Sequence, residues 1–213
     1  MYELLLIPLE DSVVFPNMSA TLAIDTGDEE RVLLVPRHEG AYAKIGTVAQ
    51  VGERVRMPGG ARAVNLEGLH RAELGAAHTD PQGNLRVEVT ERPDEEPPRI
   101  QTRELETEYR ATVEEILELR GDDGRISSFV RAIRDMGALA DTAAYAPDLT
   151  FDQKIELLET LDVADRLRLS LKLQRERLAE LQVRRRIRED VEEGAEKQQR
   201  EYVLRKQMES IRR

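Results

Sequence analysis

The sequence predicts an α+β chain, a compact barrel-like β domain followed by an all-α helical bundle that ends in one very long helix. Three observations carry this expectation. Short β-type runs separated by turn signals fill residues 1–92. The segment Arg92-Pro93-Asp94-Glu95-Glu96-Pro97-Pro98 mixes three prolines with three acids, which can propagate neither strand nor helix, and so predicts an exposed linker over 93–98. From Val163 to Arg213, 51 residues contain no proline and a single glycine, Gly194, enough for a helix of about 75 Å. The expected parts are therefore a β domain over 1–92, the linker over 93–98, a bundle over 99–161 and the long helix over 162–213.

In the first part the β-type runs are Tyr2–Leu9, Ala20–Ile24, Arg31–Val35, Gly46–Val51, Val55–Met57, Arg62–Leu66, Ala72–Leu74 and Leu85–Val89. Between them stand Phe15-Pro16-Asn17, Asp25-Thr26-Gly27-Asp28, Pro58-Gly59-Gly60 and Asp80-Pro81-Gln82-Gly83-Asn84, residues that favour turns because they set φ or bond their own backbone. Many short strands around one core argue for a barrel.

In the second part Ile100, Leu105, Tyr109, Val113, Ile116 and Leu117 recur at helical spacing over Arg99–Leu119, which stops at Gly121-Asp122-Asp123-Gly124. Helices are expected over Arg125–Asp135 and Ala138–Tyr145, the latter closed by Pro147, and a capping role is expected for Ser127-Ser128. Thr150-Phe151-Asp152-Gln153 is a capping box for a helix ending near Leu161, and Asp162 caps the long helix.

The long helix is apolar on two faces at first, with Val163, Leu167, Leu171, Leu178 and Leu181 on one and Leu169, Leu173, Val183, Ile187 and Val191 on the other. Such a helix is sandwiched between neighbours. After Val183, 17 of the next 30 residues are charged, and pairs such as Arg186/Asp190, Glu193/Lys197 and Glu201/Arg205 stand four apart. Pairs in series let a helix persist in solvent, so it should start in the bundle and leave it. Leu204, Met208 and Ile211 then form a short apolar stripe with no covering partner in the sequence and no terminating Gly or Pro. The expectation is that the natural polypeptide continues past Arg213.

Composition narrows the function. Cysteine is absent, which removes disulfides and thiolate zinc sites. No apolar run approaches the 18 or so residues a membrane span needs, and the start lacks a basic segment and is broken by Pro8, so the expected location is the cytoplasm. Residues 1–98 carry 9 Lys/Arg against 17 Asp/Glu, while residues 99–213 carry 23 against 25. Neither part is the basic surface that phosphate backbones require, which argues against nucleic acid as a partner. The one basic cluster, Arg184, Arg185, Arg186 and Arg188, is followed at once by Glu189, Asp190, Glu192 and Glu193 and reads as a solvated helix face.

Catalytic chemistry is not legible. There is no G-x-x-x-x-G-K-[ST] loop, no G-x-S-x-G elbow, and His38, His70 and His78 share no ligand spacing, so neither a catalytic, a cofactor nor a metal site is expected.

The order of the parts does carry a likeness. Leu6-Ile-Pro-Leu9 with Val13-Val-Phe-Pro16 is similar to the opening strand and turn of the Lon family, the ATP-dependent serine proteases of bacteria and organelles. Gly46-Thr-Val-Ala-Gln-Val51 and Leu66-Glu-Gly-Leu-His-Arg-Ala72 resemble its central strand motifs. Leu139-Ala-Asp-Thr142, Lys154-Ile-Glu-Leu-Leu-Glu159 and Asp165-Arg-Leu167 resemble its helical part, and Lys197-Gln-Gln-Arg-Glu-Tyr-Val-Leu-Arg-Lys-Gln-Met208 the stretch before its ATPase module. One departure is that a turn, Asp25-Thr-Gly-Asp-Glu-Glu30, stands where the family usually places an amphipathic helix.

The resemblance implies a PUA-like barrel and a non-catalytic region that recognises damaged, misfolded and short-lived regulatory proteins. ATP, Mg and the Ser-Lys dyad would belong to later parts of the protein, and assembly to a hexamer of full-length chains. Recognition of apolar segments needs uncovered apolar surface. Candidates are Val14, Phe15, Pro16 and Met18 in the first turn and Tyr42 in the Glu39–Lys44 loop. The alternative is that Phe15 and Met18 plug the end of the barrel. Candidates for assembly are Tyr202, Leu204, Met208 and Ile211. Two other readings stand beside this one: a free-standing PUA-like binding module, and a coiled-coil scaffold with Ile187, Val191, Ala195 and Tyr202 as its seam, although sustained a/d heptads are lacking.

Overall fold

A computed structural model describes residues 2–212. Seven strands come first: β1 (Tyr2–Glu10), β2 (Ser19–Leu22), β3 (Arg31–His38), β4 (Ala41–Tyr42), β5 (Ile45–Arg56), β6 (Arg62–Thr79) and β7 (Leu85–Arg92). The helices follow: α1 (Arg99–Arg120), α2 (Arg125–Ala132), α3 (Met136–Asp141) running into a 3-10 turn (Thr142–Tyr145), α4 (Phe151–Glu159) and α5 (Val163–Ile211).

The sheet runs β1-β7-β6-β5-β3 and closes on itself because β1 also pairs with β3. That closing pair is parallel, Leu5 opposite Val32 and Leu9 opposite Pro36, whereas the other pairings are antiparallel. Closure covers the edges of the five main strands, leaving among the described strands only the short β2 and β4 with an unpaired side. The run Leu4-Leu5-Leu6-Ile7 is buried throughout because both of its faces are covered. Leu4 and Leu6 join Leu33, Val35, Val48 and Val87, while Leu5, Ile7 and Leu9 join Val32, Leu34, Val64 and Leu66.

Some elements differ from expectation. The runs at 46–51 and 55–57 are one strand, bent by register shifts after Val48 and Val51, and those at 62–66 and 72–74 are likewise one strand. Tyr42 lies in a short strand hairpinned onto β3, where its hydroxyl accepts from Arg37 Nη1 at 3.0 Å. The helix expected over 125–135 stops at Ala132, since Asp135 turns to cap α3 by accepting from the Gly137 N–H at 3.0 Å. Ser127 caps nothing; its hydroxyl donates to Glu114 Oε1 at 2.6 Å, and Gly124 is the N-cap. Ile100 faces solvent. The Thr150/Gln153 capping box and the Asp162 cap form as the sequence requires.

The bundle core gathers Tyr109, Val113, Leu117, Met136, Leu139, Leu167 and Leu171 from α1, α3 and α5. Tyr109 is fully buried, and its hydroxyl shares a 2.6 Å hydrogen bond with Thr142 Oγ1. Burial pushes that phenol up to about 12. The first apolar stripe of α5 is buried through Leu171 and half-buried at Leu178 and Leu181; from Gln182 onward every described side chain is exposed. Val183, Ile187 and Val191 are therefore not sandwiched, and the rod continues alone to Ile211.

In that solvated stretch Gly194 has open space where a Cβ would stand. Gly194→Ala should stabilise the helix locally by about 1 kcal/mol, because glycine loses more backbone freedom. Amide exchange of residues 188–200 should slow by about fivefold, as measured by hydrogen–deuterium mass spectrometry; an unchanged rate would show that this stretch frays from its end without regard to local propensity.

Candidate functional site

The first turn lies at the junction of barrel and bundle. Asn17 takes a left-handed φ of 67°, its N–H donates to the Gly68 carbonyl at 2.9 Å, and the Gly68 N–H donates to the Met18 carbonyl at 2.8 Å. Thr47 Oγ1 donates to the Val14 carbonyl at 2.7 Å. Gly68 is required here, because a Cβ would run into the Phe15 carbonyl oxygen. These bonds turn Phe15 inward, where it packs with Ile45 of the barrel and Ala143, Ala144, Leu157 and Leu158 of the bundle.

Beside Phe15 lies a network of buried charge. The Arg71 guanidinium stands 5.7 Å from the Phe15 ring centre and forms a fork on Asp141, Nη1 to Oδ2 at 2.9 Å and Nη2 to Oδ1 at 2.8 Å. Its Nε donates to the Leu158 carbonyl at 2.8 Å. Arg166 makes a second fork on Asp94, at 2.9 and 2.7 Å, and approaches Asp141 to 3.7 Å. Burial opposes the Arg166 charge, but Asp94 and Asp141 outweigh it and hold its pKa above the ordinary arginine value. The segment 93–98 is thus no free tether. It has no regular structure, yet Asp94 straps it to α5 and Glu96 receives the Met136 N–H at 3.4 Å.

This bracing leaves an apolar ridge uncovered. Ile126, Phe129 and Tyr145 are 53%, 55% and 54% exposed, and the two aromatic rings meet edge to face with centroids 6.4 Å apart. Two clefts flank the ridge, and Phe129 and Tyr145 line both. The bundle cleft, about 300 Å³, lies among α1, α2 and α5 with Val113, Ile116 and Leu117 in its wall. The junction cleft, about 360 Å³, is shared with the barrel through Pro16, Asn17 and Met18. The Tyr145 phenol is held above its usual pKa by partial burial and then by the Asp141 charge. A larger groove of about 780 Å³ between the end of α1 and α5 is lined by Glu115, Glu118, Arg185, Arg186 and Glu189 together with Leu119, Ala179 and Val183, and offers charges of both signs beside its apolar surface.

The sequence candidates divide accordingly. Phe15 is fully buried and its ring fills the junction between barrel and bundle, so the direct-contact expectation for it is corrected, while Pro16 is buried at the edge of the junction cleft, which it helps to line. Val14 is half-buried against the barrel core, Met18 is half-buried in the junction cleft, and Tyr42 lines neither cleft. Tyr202, Leu204, Met208 and Ile211 are exposed on the rod. The ridge was not among the sequence candidates. The signal lay in α2 and its C-cap, where Ile126, Phe129, Val130 and Ile133 recur at helical spacing on one apolar face, of which Val130 is buried while Ile126 and Phe129 are exposed. Among the described residues no group of three His, Asp or Glu is placed to hold a metal ion, and no helix is long and apolar enough to cross a membrane.

Comparison with known proteins agrees with this architecture. The Lon protease of Chloroflexus aurantiacus is 40% identical over 231 residues, covering 98% of this chain and 27% of that protein. The Lon protease of Salinispora arenicola is 38% identical over 219 residues, covering 97% of this chain and 28% of the relative. The chain thus spans little more than a quarter of the length of these relatives. Among solved structures, the N-terminal domain of Mycobacterium avium complex Lon protease superposes with a TM-score of 0.72 at 32% identity, over 81% of this chain and 98% of that one. The family model for the substrate-binding domain of ATP-dependent protease La (Lon) matches residues 3–175, which takes in the barrel, the strap, the bundle and the root of the long helix. With barrel and bundle both inside that match, the chain belongs to the Lon substrate-binding domain family.

Proposed function

We propose that this chain is the non-catalytic recognition and assembly region of a Lon-type protease, and that it holds apolar segments of damaged, misfolded or short-lived proteins on the ridge formed by Ile126, Phe129 and Tyr145. The observation that supports it is the ridge itself, three large apolar side chains each more than half exposed between two clefts. Uncovered apolar surface of that kind marks an interaction site, since a chain gains by covering it. Met18 extends the surface on the barrel side. Barrel and bundle, joined by the strap at 93–98, form the recognition head. The rod carries it toward an ATPase and Ser-Lys protease in the remainder of a longer cytoplasmic protein, where ATP and Mg bind. Tyr202, Leu204, Met208 and Ile211 then serve assembly of a hexamer. Nucleic acid is not a partner in this reading, because the chain's net charge is −10.

Titration of a denatured, fluorescently labelled protein tests it. Phe129→Ser with Tyr145→Ser should weaken binding several-fold without changing the circular dichroism, because both side chains are more than half exposed. Binding should change little between about 0.1 M and 1 M salt, over which the Debye length falls from about 10 Å to about 3 Å. Full affinity in the double variant would remove the ridge as the site, and loss of binding at high salt would replace apolar recognition by charge.

A further inference from the structure

Two guanidinium groups stand in the wall of the mostly apolar bundle cleft. Arg177, from α5, is 12% exposed in its side chain, and its Nε is buried with no hydrogen-bond partner. Its acid neighbour, Asp148, approaches that nitrogen only to 3.6 Å, beyond hydrogen-bonding range. Arg120, the last residue of α1, lines the same cleft from the exposed side. Arg177 also lines the adjacent small cleft that holds Asp148, and two like charges in the wall of one chamber favour an anion between them. Burial, with Arg120 adding to it and Asp148 opposing, holds the Arg177 pKa below the ordinary arginine value, although arginine remains charged at any physiological pH.

Most of the rest of the chamber is aliphatic and aromatic, Val113, Ile116, Ile126 and Phe129 among it, with Thr142, Tyr145 and Gln174 as its other polar-bearing residues. Its volume of about 300 Å³ is roughly twice the 150 Å³ or so that accepts benzene, which leaves room for an aromatic side chain and the backbone that carries it. A large apolar group and a carboxylate borne by one residue occur together at one place in a polypeptide, its carboxyl terminus. An internal acid would need the chain both to enter and to leave the chamber.

We propose that the bundle cleft receives the carboxyl-terminal residue of a client polypeptide, an aromatic or large aliphatic side chain entering among Val113, Ile116, Ile126 and Phe129 while the α-carboxylate pairs with Arg177 and Arg120. This rests on the ridge being a client-binding surface, and it adds a terminal-residue specificity to that surface.

The test uses one labelled peptide ending in phenylalanine in three forms: free acid, carboxyl-terminal amide, and amide with an aspartate placed before the phenylalanine. By fluorescence anisotropy at fixed salt the free acid should bind about tenfold more tightly than either amide, the scale of a charge-assisted pair. Arg177→Gln should bring the acid down to the level of the amide and leave the amide unchanged. Arg120→Gln, on the exposed side and safe for folding, should remove part of the same preference. Acid and amide bound within twofold by the parent chain would overturn the proposal, as would equal weakening of both peptides by Arg177→Gln. A tighter aspartate–amide peptide would overturn it in favour of an internal acidic signal, and decanoate binding where the free-acid peptide does not would overturn it in favour of a small amphiphile. The ridge reading is judged separately by the denatured protein on the Phe129→Ser, Tyr145→Ser variant. If that variant loses the client while acid and amide peptides remain equal, only the terminal-residue proposal falls.

Discussion

Asp141→Ala is expected to lower the stability of the chain by about 3–5 kcal/mol, the scale seen when one partner of a buried ion pair is removed. Asp141 is 4% exposed, and the Arg71 side chain it neutralises is fully buried. Without the carboxylate, Arg71 keeps only the carbonyls of Leu158 and Leu157, at 2.8 and 3.3 Å, and Arg166 loses a second acid 3.7 Å away. A guanidinium cannot shed its charge to escape the penalty, as a lysine can. For a chain of this size the thermal midpoint should fall by about 6–20 °C. The double change Arg71→Met with Asp141→Leu should restore much of the loss, because it removes the buried charge together with its partner. A midpoint for Asp141→Ala within about 2 °C of the parent would mean that water reaches Arg71 and that the network contributes little. The network also joins barrel to bundle, through Arg71 on β6 and Asp141 on α3, and Asp94 ties in the strap. Cleavage by a protease within 93–98 should accordingly be faster in Asp141→Ala.

These same residues show what could be read without coordinates. Arg71, Asp141 and Arg166 each lay inside a short stretch that resembles the family, yet 70 residues separate Arg71 from Asp141. The stretches were legible as strings; their meeting in one buried network was not, because no periodicity encodes which surface charge a distant helix will cover. Local elements were legible where local chemistry decides them. The Thr150/Gln153 box, the Asp162 cap and the proline-rich break need only their own neighbours. The fusion of residues 45–56 into one strand depends on its partner β6, whose pairing carries the chain across its bulges. The same limit hid the ridge. Ile126 and Phe129 have the spacing of core residues, and only the placement of α2 shows that Val130 is buried while they are not.

Phe15 is the sharpest case of an apolar turn residue whose role depends on what folds over it. The sequence Val13-Val-Phe-Pro16, in a loop between two strands, suits an exposed contact as well as it suits a plug. In the structure the ring is fully buried, against Ile45 on one side and Ala143, Ala144, Leu157 and Leu158 on the other, with Arg71 beside it. Phe15→Ser removes a buried aromatic, leaves a cavity between barrel and bundle, and sets a hydroxyl beside the Arg71 network. The expected cost is about 3–5 kcal/mol, the range for deleting a buried phenylalanine side chain. Met18→Ser should cost clearly less, since Met18 is only half-buried. Urea unfolding followed by circular dichroism measures both, and the parent slope should be kept if the native state remains compact. In client binding the order reverses. Under conditions where each variant is folded, Met18→Ser should weaken binding of a denatured protein at the junction cleft, and Phe15→Ser should change it little. A folded Phe15→Ser chain of parent stability that had lost client binding would instead return Phe15 to the surface and make the first turn the contact.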